Sequence, residues 1–487
     1  MPKKEKIILG IILLLALVFR LYKIDAPLGD WHSWRQADTA AVSRNYTRTS
    51  IDLLHPRYDD LSNIQSGKYN PEGLRYVEFP IYNALTAILY KIIPFFAVEV
   101  IGRVVTIFFS LVTISIIFYL LYKEEGRIAA MAGALTYATF PFFVYYSRVV
   151  LPDTTAVSLM FIGIFFAYLF GKNHIKSQSI STVSLIISIV CVALALLTKP
   201  TVIFYLIPIM YIFYKKYGYR ALQKISIYFY FLAVLIPLIA WRLFITRFPE
   251  GIPASDWLIF GVNTGGSLKS IFFRPAFFRW IFYERILNLI LGGYMATFLI
   301  VGAIKKPHKS ALFYSIALAA LAYLFVFQGG NVQHDYYQII ILPALAIFVG
   351  IGVSLLSRLT DHSNKQLANP ILLGLVVCGI FGASWFFSFN QVKDYYNQSD
   401  TLASSARAIK IFTEQDSILV TDTVGDTTLL YLSDRRGYPA VTEDLHDLKK
   451  RGADYFVTDK TDVIATIKRE TEFKHVFENN RITIFKL

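Results

Sequence analysis

Arg103-Val-Val-Thr-Ile-Phe-Phe-Ser-Leu-Val-Thr-Ile-Ser-Ile-Ile-Phe-Tyr-Leu-Leu-Tyr122 is a stretch whose only charge is its first residue, and Lys123 follows it directly. An α-helix of about 20 residues rises about 30 Å, the thickness of a bilayer's hydrocarbon core. A helix at the surface of a soluble domain keeps one face charged, and this one has no such face. Runs of the same kind recur along the chain. We read eleven: 7–24, 103–122, 128–146, 154–171, 181–198, 200–214, 226–244, 286–304, 310–327, 339–356 and 370–389. The fold class expected is an all-α polytopic membrane protein of about 11 transmembrane helices.

Composition agrees. Of 487 residues 55% are hydrophobic, 16% aromatic and only 17% charged, where a soluble domain carries about 25% charge. A disordered chain, a disulfide scaffold and an ordinary cytosolic enzyme are all excluded. Cys191 and Cys378 sit inside apolar runs, with neither metal-ligand spacing nor a disulfide framework. The first run follows Lys3, Lys4 and Lys6 and shows no small-residue cleavage site, so it reads as an uncleaved anchor.

The charges give the orientation. From Gln391 onward there are 14 basic against 16 acidic side chains, which leaves 34 against 18 before it. The basic excess falls in short clusters between apolar runs, which argues against nucleic acid as a partner. With the N-terminus inside, the alternate short loops and the N-terminus collect 16 Lys and Arg, as the positive-inside rule requires. Arg20 and Lys23 run against that pattern, but they border a long outer loop, which the rule exempts. The expected localisation is the cell membrane, multi-pass, with a cytoplasmic N-terminus and an extracytoplasmic C-terminal domain. All long loops then share the outer face: residues 25–102, roughly 245–285, and the tail of 97 residues, 30 of them charged. We therefore expect a membrane module over 1–390 and a small α/β domain over 391–487. In the tail, Ser417–Thr421, Asp454–Thr458 and Arg481–Phe485 read as strands and Glu443–Gly452 as a helix.

The first outer loop carries the densest chemistry: Asp30-Trp-His-Ser-Trp-Arg-Gln-Ala-Asp-Thr39. Residues 37–48 predict an amphipathic helix on the membrane surface, with Asp38 near its start, where a carboxylate favours the helix dipole. Glu78-Phe79-Pro80 precedes a second apolar helix over 81–97, expected to lie flat on the outer leaflet. Arg148 and Asp153 lie at the mouth of the 154–171 span, where Pro152-Asp153-Thr154 is also good helix-start chemistry, so Asp153 reads equally as cap and as catalyst. Lys199 and Arg242 stand at span ends, where snorkelling to the interface is the usual fate of a cation. His334 and Asp335 read as a polar loop, with metal or acceptor contact the lesser reading. Tyr336 and Tyr337 fit an interfacial aromatic belt.

Taken in order, Trp34-Arg-Gln-Ala-Asp-Thr39, Glu78-Phe-Pro80, Arg148-x-x-x-Pro152-Asp153, Leu196-Leu-Thr-Lys-Pro200 and His334-Asp-Tyr-Tyr337 resemble the bacterial C-type (GT-C) membrane glycosyltransferases. The branch resembled is that of the protein O-mannosyltransferases and lipid A aminoarabinose transferases, and the resemblance spans nearly all of residues 1–390. It implies transfer of a sugar, with inversion, from a polyprenyl-phosphate donor to a protein, glycan or lipid acceptor in the cell envelope. It also implies a catalytic acid in the first outer loop. Asp38 fits best, although the family's frequent Asp-Glu pair is here Ala37-Asp38, which keeps Asp30 in reserve. Glu78 matches a residue that holds a divalent metal in some relatives.

Displacing a phosphate needs a base or orienting carboxylate for the acceptor and positive charge on the departing oxygens. The candidates are Asp38 and Asp153 for catalysis and Arg148 and Lys199 for the donor phosphate. Arg35, His334 and Tyr337 are candidates for acceptor or loop contacts, and Glu78 for a metal. The alternative function is a transporter or lipid flippase, which should show mid-membrane charges and repeated halves. A ligand sensor anchored by its spans is a third reading, for which eleven spans are too many. The stretch Phe272–Trp280 is expected to form an interfacial helix or a cover over the donor.

Overall fold

The structure is a computed structural model that describes residues 1–172, 178–255, 257–260, 275–306, 310–362, 370–470 and 473–487. Of Phe272–Trp280, read above as an interfacial helix or donor cover, residues 272–274 lie outside the described residues, and 275–280 are helical. Each of the eleven apolar runs coincides with helix. Six helices among the described residues are long and apolar enough to cross a membrane. The others are shorter or broken. The 286–304 run divides into Arg279–Ile290 and Ala296–Ile304 at Gly292-Gly293, both at positive φ. Pro200 opens a short tight helix, Pro200–Tyr205, before Leu206–Tyr217.

The chain forms two compact units. The first, Met1–Ile24, Val104–Ala240 and Ser255–Asp394, is the helical bundle. Its central span, Asp335–Arg358, is 89% buried, whereas Ile225–Ile245 is only 17% buried. The latter exposes Phe229, Leu232, Ile236 and Leu243, the apolar surface that lipid would cover. Hydrophobic burial does not drive helix association in lipid, so small residues at the crossings matter. A Cβ on Gly352 would stand 1.9 Å from the Phe298 carbonyl oxygen, and one on Gly302 would stand 2.1 Å from that of Phe348. The two helices meet backbone to backbone.

The second unit is Asp25–Arg103, Trp241–Ala254 and Tyr395–Leu487. Its sheet runs β2-β1-β3-β5-β4, with β1 Ile418–Thr421, β2 Arg436–Tyr438, β3 Tyr455–Thr458, β4 Lys474–Glu478 and β5 Thr483–Lys486. β1 is parallel to β2 and β3, while β5 is antiparallel to β3 and β4. The three tail strands expected from alternation are β1, β3 and β5, and the expected helix is Leu445–Lys450. The loop over residues 25–102 is stitched to this sheet. Leu61 N–H donates to the Gly437 carbonyl and Gly437 N–H to that of Asp59, and Leu61 joins Val420, Phe456 and Phe485 in one core.

Two expectations for this loop are corrected. The helix begins at Ser33, not 37, and runs to Arg48. It is no amphipathic surface helix, because Arg35–Arg44 are all buried. Asp38 therefore lies in the second turn, beyond reach of the helix N-terminus. The second helix is Ile81–Ile92, 12 residues long, or about 18 Å of rise, too short to span.

Candidate active site

Asp38 is 1% exposed and sits in a web of contacts within the second unit. Arg75 Nη2 lies 2.9 Å from its Oδ2 as a charge pair without hydrogen-bond alignment, and the Thr427 hydroxyl donates to its Oδ1 at 2.6 Å. The Arg75 guanidinium also lies over the Tyr58 ring, 4.7 Å from its centre, and donates to Gln65 Oε1 at 3.0 Å. The carboxylate is thus held from two directions while its compensating cation is held in turn. Asp60, whose Oδ1 accepts from Ser62 N–H at 2.7 Å, belongs to the same neighbourhood. Burial pushes its carboxyl up to about 6, and the Asp38 charge pushes the same way. Burial likewise raises Asp426, again with Asp38 adding to it.

The reserve residue Asp30 accepts from Gln36 Nε2 at 2.7 Å. Arg35 closes on Glu78 at 2.5 Å and reaches Thr39 Oγ1 at 3.4 Å. The Glu78 carboxylate, expected as a metal ligand, therefore has a guanidinium as its partner. Among the described residues no three His, Cys, Asp or Glu side chains are grouped to hold a metal ion.

The first unit carries its own cluster. Asp153 opens the Asp153–Gly171 helix but caps nothing: no side chain caps that end. Its fully buried carboxylate instead pairs with Lys199 Nζ at 3.1 Å, so the cap reading gives way to an ion pair. Lys199, 6% exposed, does not snorkel. Its ammonium also lies over the Tyr337 ring at 5.7 Å. Arg148 is buried and donates to the Lys23 carbonyl at 2.8 Å, tying the first helix to the Asp153 segment. Asp335 accepts from the Tyr146 hydroxyl at 2.5 Å and lies 3.5 Å from Arg285 Nη1. Tyr336 and Tyr337 are buried, which corrects the belt reading. Their rings stack 4.5 Å apart, with His334 5.4 Å from Tyr336. Arg242 is exposed in the last turn of its helix.

The comparisons join this geometry to known proteins. The family model described as dolichyl-phosphate-mannose-protein mannosyltransferase matches residues 78–242. The structure of ArnT from Cupriavidus metallidurans bound to undecaprenyl phosphate superposes with TM-score 0.65 at 15% identity, over 98% of this chain and 97% of that one. The apo form gives 0.64 at 14%, with the same coverage. The chain has the C-type membrane glycosyltransferase fold. A third glycosyltransferase structure is the archaeal oligosaccharyltransferase AglB from Archaeoglobus fulgidus, in complex with an inhibitory peptide and a dolichol-phosphate. It matches with TM-score 0.60 at 10% identity, over 94% of this chain and 69% of that one. No curated protein sequence matches. The glycosyltransferase family match begins at Glu78 and takes in Arg148, Asp153 and Lys199.

Sequence reasoning missed Arg75, Thr427 and Arg285. Arg75 stood three residues before Glu78, inside the conspicuous loop, and was legible as a nearby cation. Thr427 is 389 positions from Asp38 and carries no local signal.

Proposed function

We propose that this protein transfers a hexosyl or pentosyl residue, with inversion, from a polyprenyl-phosphate donor to an acceptor at the extracytoplasmic face. The lipid-phosphate donor is supported by two superposed structures, ArnT bound to undecaprenyl phosphate and AglB in complex with a dolichol-phosphate. The extracytoplasmic face is supported by the basic short loops opposite the long ones. The observation that carries the chemistry is the buried Asp38 carboxylate, oriented by Thr427 and compensated by Arg75.

Asp38 takes the acceptor proton as its oxygen or nitrogen attacks the anomeric carbon and the C–O bond to phosphate breaks. Lys199, its ammonium poised by Asp153, stabilises charge on the leaving phosphate, and Arg148 adds positive field. The Arg35–Glu78 pair fixes the loop beside Asp38, and His334 and Tyr337 contribute acceptor contacts. No step runs through a metal.

The test is transfer in lipid nanodiscs from a pool of polyprenyl-phosphate sugars to envelope acceptors, with free polyprenyl phosphate and product followed by mass spectrometry. Asp38→Asn should lose at least about 100-fold in rate while keeping wild-type secondary structure. A folded variant that retained its rate would remove Asp38 from the role of base.

A further inference from the structure

The strand order of the small sheet dictates where it opens. From β1 the chain passes through Thr428–Ser433 to β2 on one side, then through Leu445–Lys450 back across to β3 on the other. Loops leaving the carboxyl ends of β1 and β3 therefore part in opposite directions. In parallel sheets the crevice at such a switch point is where ligands sit. Here it is a cavity of about 410 Å³, lined by Thr423 and Asp426 after β1, by Thr458 and Asp459 at the end of β3, and by Arg481 from the β4–β5 turn.

The lining selects a chemistry. Asp422, Asp426 and Asp459 outnumber the single guanidinium of Arg481, so a phosphate or nucleotide would meet net negative charge. A metal ion is not served, because no three acidic, His or Cys side chains are grouped for one among the described residues. Asp422 is paired with Lys460 at 2.7 Å, and Asp426 accepts from Thr428 N–H at 2.7 Å. What remains is a mixed surface of hydroxyls and carboxylates beside the apolar walls of Leu402 and Leu429. An uncharged sugar matches it: its hydroxyls donate to carboxylates, its oxygens accept from Arg481, and its C–H faces meet the leucines. At the mouth Val424, a β-branched residue, is held at φ 52° and stands exposed, a conformation rare for that side chain.

We propose that this crevice is a binding site for an uncharged carbohydrate. Resting on the transferase reading, we take that carbohydrate to be part of the acceptor. The loop that lines the crevice with Thr423 and Asp426 continues into Thr427, whose hydroxyl holds Asp38, so a seated sugar and the base share one segment.

The experiment is ligand-observed saturation-transfer NMR on the full chain in nanodiscs, without donor and with empty nanodiscs as control. The probes are methyl α-mannoside, N-acetylglucosamine and cellobiose, set against glucuronate and mannose 6-phosphate. At least one neutral sugar should bind with a Kd on the order of 1 mM. Binding should weaken at least about tenfold in Thr401→Trp, which fills the exposed rim, and in Asp459→Asn, an exposed position. Sugar binding is read without donor, so the site is judged apart from catalysis: binding without transfer would sink only the transferase reading. The site is overturned by silence from all three neutral sugars, by stronger binding of the anionic ones, or by binding unchanged in both rim variants.

Discussion

Replacing Arg75 by Met keeps much of the side chain's length and removes the charge facing Asp38. At 2.9 Å the pair's attraction is about 6 kcal/mol at an effective dielectric near 20. Desolvation offsets part of that, but it has already been paid in the folded state, so removing one partner strands the other. Measured losses for breaking buried pairs run to about 3–5 kcal/mol. For a folding unit of 150–250 residues each kcal/mol is worth about 2–4 °C, so Arg75→Met should lower the melting temperature by roughly 6–20 °C. Asp38→Asn strands Arg75 in the same way and should also destabilise. The double variant leaves two neutral side chains, so its loss should fall short of the sum by about 2–3 kcal/mol. The assay is melting followed by intrinsic fluorescence in nanodiscs for all four proteins. An Arg75→Met melting point within about 2 °C of wild type, or strict additivity in the cycle, would refute the view that Asp38 is charged and compensated by Arg75.

Three further outcomes follow from the structure. In the bundle, Lys199→Met should cost about 3–5 kcal/mol because it leaves Asp153 buried and unpaired, and Asp153→Asn in the same protein should restore part of it; equal stability of the single and double variants in chemical denaturation would contradict the pair. Gly352→Ala places a Cβ 1.9 Å from the Phe298 carbonyl oxygen and should cost about 1–3 kcal/mol by overpacking, read as a lower melting temperature; an unchanged value would mean that the helices are not in backbone contact. Asp60 has a folded-state pKa of about 6, above its unfolded value near 3.9, so the native state holds the extra proton between those limits. Stability should therefore fall as pH rises from about 4 to 6, by up to about 3 kcal/mol; Asp60→Asn should flatten this part of the melting profile, and an equally steep fall in the variant would exclude Asp60 as its source.

The sequence alone was enough for the membrane class, the helical runs and three of the tail's five strands, because each depends on local pattern. A run such as Val104–Tyr122 has no soluble alternative, and Tyr455-Phe-Val-Thr458 alternates too short for a helix. Asp38 was legible as a candidate because the motif around it resembles a family whose catalytic acid lies in that loop. What the local pattern misread was burial. Ser33–Arg48 looked like a surface helix because it is rich in polar side chains, and only the fold shows those side chains satisfied inside a packed unit: Arg35 by Glu78, Arg44 by Asp59 at 2.6 Å, Asp38 by Arg75 and Thr427. Likewise Lys199 looked like a snorkelling cation until Asp153 appeared 3.1 Å from it.

Local periodicity reports which solvent a segment prefers on average, and that is enough to decide helix, strand and membrane. Which charge meets which depends on chain paths separated by up to 389 residues, and no window of sequence carries that information. The composition of the loop therefore determined that there would be a carboxylate in the loop that follows the first span. Only the tertiary structure decided that it would be buried, compensated and oriented.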